Sequence, residues 1–205
     1  MDLSSKTTPT IVALNLTKFR KGAEKAACWL MRENFDALFL NLPRELEGIL
    51  KVYMLGDSSV EDFWRNYYYL TGLQRPFVNA LRYAIDPLVN ALPELYIRNS
   101  GLKVYCYQSL ENHIVAMKLS ERLLFLEAKD KVSSRIRVED WRKLLRDEII
   151  CAGLGFQRNV ENIAEEAISH ASSVVLYEGL VKPFKDSMEA KGFKVRVLHI
   201  LHYWR

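Results

Sequence analysis

SVVLYEGLVKPFKDSMEAKGFKVRVLHI, residues 173–200, reads as strand, glycine turn, helix and closing strand. Val174, Val175, Leu176 and Tyr177 form an apolar run too short for a helix and too continuous for a half-exposed strand, so it suits a strand covered on both faces. Glu178 and Gly179 end it. Lys182 follows, and Pro183 stands as the first helical position, where its missing N–H costs nothing. Gly192 closes that helix, and residues 193–200 alternate and then run apolar as the next strand. The unit is βαβ with a basic side chain at the mouth, the place where open α/β sheets bind ligands.

Working outward, TIVALNL (10–16) and FDALFLNL (35–42) are two further short apolar strands, and a helix over about 23–34 joins them. A crossover of that length is the ordinary start of a parallel sheet. LKVYCYQ (102–108) supplies another strand. Between them, residues from about 57 to 100 form a helical insertion rich in aromatics, punctuated by Gly72, Pro76, Pro87 and Pro93. After residue 110 come a long helix to about 130, a polar linker KVSSR suited to a mobile loop, and two helices separated at Gly153–Gly155. The expectation is one α/β domain over 1–205, with a mainly parallel central sheet of about five strands, helices on both faces and the helical insertion in the middle.

The 205 residues are 49% hydrophobic and 26% charged, a composition that excludes disorder. Formal charge is +4 and pI about 8.9, a mild bias that permits an anionic ligand without the dense basic tract of a dedicated nucleic-acid binder. Cys28, Cys106 and Cys151 lie far apart and read as buried small residues in a reducing compartment. His113, His170, His199 and His202 lack helical metal-site spacing, so no metal and no cofactor are expected. No apolar stretch reaches membrane-spanning length and the first ten residues lack a signal-peptide core, which places the expectation in the cytoplasm without a membrane partner. Dinucleotide, P-loop and serine-elbow motifs are absent.

The order of elements, with FDALFLNLP as second strand, RDE on a central helix and VVLYEGLVKP near the end, resembles the TraB/PrgY, ChaN and TIKI group of proteins. The resemblance covers most of the chain. It implies a G-x-x-H motif after the first strand, an acidic residue before the Leu-Pro pair, and a second G-x-x-H after the penultimate strand. Together these line a pocket implicated in metal-dependent hydrolysis in some members. This chain departs at each point: Asn15-Leu16-Thr17-Lys18, Asn41 before Leu42-Pro43, and Gly179-Leu180-Val181-Lys182. A protonated lysine has no lone pair for a metal, and two ammonium groups repel a divalent cation. What would remain is a pocket rim of Lys18 and Lys182 with Asn41, Arg44 and Arg146, suited to an anion such as phosphate.

Three functional readings stand side by side. The first is a binding or scaffold subunit without hydrolase chemistry, taking a protein partner or a second copy, with an anionic ligand near Lys18 and Lys182. The second is a hydrolase of altered chemistry on a phosphorylated or nucleotide substrate, with a lysine of lowered pKa or Glu178 as base. The third is nucleic-acid binding through Trp64, Tyr67, Tyr68 and Tyr69 with Arg65, Arg75, Arg82 and Arg98. Against the third, aromatics at spacings of three and four are more often helix-packing residues.

Overall fold

The computed structural model describes residues 8–15, 20–133, 138–177 and 181–200. Five strands, β1 (Thr10–Asn15), β2 (Ala37–Pro43), β3 (Lys103–Gln108), β4 (Ser172–Tyr177) and β5 (Lys194–His199), form one sheet in the order β3-β2-β4-β1-β5. Every pairing is parallel. The α/β expectation is met. β4 is central, and its four apolar residues Val174–Tyr177 are all buried, as a strand covered on both sides requires.

Alternation along the strands splits the core into two layers. Leu14, Leu38, Leu40, Val174 and Leu176 point into the larger one. There they meet α1 (Arg20–Leu30), α2 (Glu47–Met54), α3 (Val60–Thr71) and α4 (Arg75–Arg98). Ile11, Ala13, Phe39, Val175 and Tyr177 point to the other face, covered by the end of α6 (Val138–Ala167) and by α7 (Val181–Ala190). α7 carries Pro183 within its first turn, and Gly192, at φ 92°, turns the chain into β5.

Two expected breaks are absent. α4 runs unbroken through Pro87 and Pro93, because Leu88, Val89, Leu92 and Leu95 are buried against the core and that packing outweighs the local penalty. α6 likewise continues through Gly153 and Gly155. A Cβ on Gly155 would lie 3.2 Å from Asn112 Nδ2 of α5 (Leu110–Ser133), so this glycine leaves room for the Asn112 side chain. Cys28 is exposed rather than buried; it lies on the outer side of α1, while Cys106 is buried as expected. The KVSSR linker falls partly within α5 and otherwise outside the described residues.

α3 begins with a capping box. The Ser59 hydroxyl accepts the Asp62 N–H at 3.1 Å, and Asp62 Oδ2 accepts the Ser59 N–H at 3.2 Å. Ser59→Ala is expected to cost about 1 kcal/mol, seen as a lower urea midpoint at unchanged slope. An unchanged midpoint would show that the box contributes nothing.

Candidate functional site

The strand ends hold only part of the expected pocket. Lys18 and Glu178 lie outside the described residues. Lys182 is exposed in the first turn of α7 beyond β4. Asn41 is half-buried in β2, at an irregularity where β2 pairs with β3. Arg44 begins a single 3-10 turn (Arg44–Leu46) after β2 and reaches α6, donating to Asn162 Oδ1 at 3.3 Å and lying 3.8 Å from Glu166. Asn162 in turn donates to the Tyr107 carbonyl at 2.8 Å, so Arg44 joins the connection after β2 to the helix layer. Arg146 sits sixteen residues earlier on α6, roughly 24 Å along its axis. Arg44 and Arg146 therefore do not converge.

The aromatic insertion is chiefly packing. Tyr53, Phe63, Trp64 and Tyr67 are buried and form a chain of rings with centroids 5.3–6.1 Å apart. Trp64 Nε1 donates to Asp86 at 2.8 Å, and Arg82 bonds both Asp86 at 3.2 Å and Glu61 at 2.8 Å. Arg65 pairs with Asp62. Tyr69 remains exposed.

At the end of β3 lies a polar trio that the sequence did not single out, with His113 and Tyr67 buried and Gln108 half-buried. His113 Nδ1 donates to Gln108 Oε1 at 2.6 Å, which leaves Nε2 to accept the Tyr67 hydroxyl at 2.8 Å. Only 2% of His113 is exposed. Desolvation of the charged ring pulls its pKa down to about 4, and burial pushes the Tyr67 phenol well above its ordinary value. The trio is neutral at pH 7 and joins α3 to β3 and α5.

An open cleft of about 330 Å³ lies between the α3–α4 turn and α5, lined by Gly72, Leu73, Gln74, Lys118, Glu121 and Arg122. Gly72 takes φ 61°, the left-handed conformation that ends α3. Lys118 and Arg122 are one helical turn apart on α5, so both cations flank the same opening. Arg122 is anchored only loosely, 3.6 Å from Asp147 and 62% exposed. The arrangement suits an anion, with Glu121 available to a donor group on the same ligand.

α5 and the first half of α6 form an arm. Asn112 faces Gly155, Arg122 faces Asp147, and Trp141 Nε1 donates to Asp130 Oδ2, which fixes the two helices antiparallel. Of thirteen exposed large hydrophobic residues among the described ones, seven lie on this arm: Val115, Phe125, Val132, Val138, Leu145, Ile149 and Ile150. That concentration on about a fifth of the chain marks the arm as the surface least suited to water. No described helix is long and apolar enough to cross a membrane. Among the described residues, no group of three or more His, Cys, Asp or Glu side chains is arranged to hold a metal ion.

No protein-family model, curated protein or solved structure matches this chain.

The cleft and the arm escaped sequence reading for different reasons. The cleft joins residues 72–74 to 118–122, a juxtaposition made by tertiary packing alone. The arm's signal was present in the seven-residue spacings Phe125–Val132 and Val138–Leu145, but spacing alone does not tell an exposed apolar stripe from a buried one.

Proposed function

We propose that the chain is a binding or scaffold subunit, a diverged relation of the TraB/PrgY, ChaN and TIKI group, which docks a protein through the outer face of the α5–α6 arm. The exposed apolar surface of the arm carries this reading, because a solvated hairpin has no use for Ile149 at 73% and Phe125 at 65% exposure. Lysine at positions 18 and 182 and asparagine at position 41 support the departure from metal-dependent hydrolysis. The cytoplasm fits such a role. A photo-cross-linking residue at Ile149 is expected to give a discrete cross-linked product in cells, while one at the exposed Lys191 gives none. Equal, diffuse labelling at both positions would overturn docking at the arm.

A second reading, an anionic ligand, is favoured by the cleft flanked by Lys118 and Arg122. Millimolar phosphate is expected to raise the melting temperature of the wild type and not that of Lys118→Gln/Arg122→Gln. Equal shifts in both, or none in either, would count against the cleft. A shift that survives there and vanishes in Lys182→Gln would move the anion to the strand ends.

A further inference from the structure

We infer that the occupant of the arm is a second copy of this chain, its α6 paired antiparallel with the first. This rests on the docking reading above and names the partner.

Val138, Arg142, Leu145 and Ile149 recur at intervals of four and three, the a/d pattern of a helix–helix seam. Val138, Leu145 and Ile149 are exposed by 52%, 49% and 73%. The stripe is separate from the one that packs within the arm. Trp141, Leu144, Asp147 and Gly155 face α5 or lie buried, and they sit roughly a third of the way round the helix from the exposed set. α6 therefore carries two seams, of which α5 covers one.

Charge selects the occupant. Glu139 and Arg146 flank the exposed seam on the same side, seven residues apart, with the acid toward the N-terminus and the base toward the C-terminus. A reversed copy places Glu139 of each chain beside Arg146 of the other, twice over by symmetry. A parallel copy would set Arg142 against Arg142 within the seam. In the antiparallel register Val138 packs against Ile149 of the second copy, and Arg142 against Leu145. Arg142 is already paired with Glu139 of its own chain at 2.9 Å, so each glutamate would lie between two guanidinium groups. The seam is complementary to its own reverse, which is what a two-fold interface requires.

The test uses full-length protein in sedimentation equilibrium. The wild type is expected to be a dimer, and Glu139→Arg and Arg146→Glu alone are each expected to weaken it by at least about tenfold. Mixing the two single variants should restore association, because each then presents the charge the other needs. The double variant Glu139→Arg/Arg146→Glu should also dimerise, which shows that the substitutions leave the fold intact. A monomeric wild type at every concentration, or single variants that stay apart when mixed, would overturn antiparallel self-pairing. If the wild type is monomeric while the cross-link at Ile149 captures a different protein, self-pairing falls and docking stands; with no cross-link at all, both fall.

Discussion

Lowering the pH from 7 to 4 is expected to remove roughly 3 kcal/mol of folding stability through His113 alone. The folded ring has a pKa of about 4, below its ordinary 6.5, because protonation would place an unsolvated charge among Tyr67, Gln108 and the surrounding core. Between those two values the unfolded chain takes up a proton that the folded chain does not. The contribution is therefore complete above pH 6.5 and declines, by up to about 1.4 kcal/mol per pH unit, as pH falls toward 4. Urea midpoints across this range should fall in the wild type and fall less steeply in His113→Phe. That variant will be less stable at every pH, since it leaves Gln108 and the Tyr67 hydroxyl without their partner, but the slope is independent of that offset. The ring signal of His113 in an NMR titration provides the direct check: a midpoint near 6.5 would refute the neutral trio.

Phe39→Ala is expected to cost about 3–5 kcal/mol, a large share of the stability of an ordinary domain. Phe39 is fully buried in β2, pairs through its backbone with β3 and β4, and stacks on Tyr105 with ring centroids 5.1 Å apart. Its removal opens a cavity in the face covered by α6 and α7, beneath the root of the arm. Chemical denaturation should show a much lower midpoint, and Ile97→Ala, at a position 78% exposed, should leave it nearly unchanged. A loss below about 1 kcal/mol for Phe39→Ala would mean that this face is far more loosely packed than the structure shows.

The sheet was legible because its strands are short, apolar and bounded by punctuation. Val174–Tyr177 suited a strand covered on both faces, and Gly192 marked the turn into β5. Strand order was not legible, since no local signal tells β1 to pair with β4 and β5 rather than with β2. Proline and glycine misled where tertiary contacts outweighed local preference. Pro87 and Pro93 sit in a helix held by its buried leucines, and Gly155 serves the approach of Asn112 rather than a helix end. The candidate site was less legible than the fold. Lys182 and Arg44 follow strand ends as expected, yet Arg44 is engaged by α6 and Arg146 lies far out on the arm. Arg146, expected at an anion pocket, gains a role in the proposed seam instead, where its partner is Glu139 of a second copy.

Hydroxyl-radical footprinting of the purified full chain tests the covered arm most directly, because it reads the solvent access of individual side chains. At concentrations where the dimer forms, Leu145 and Ile149 should oxidise far more slowly than Ile97 and Ile168, which are 78% and 69% exposed elsewhere on the surface. The protection should disappear on dilution and in Glu139→Arg. Oxidation of Ile149 as fast as Ile97 at every concentration would contradict a self-covered arm.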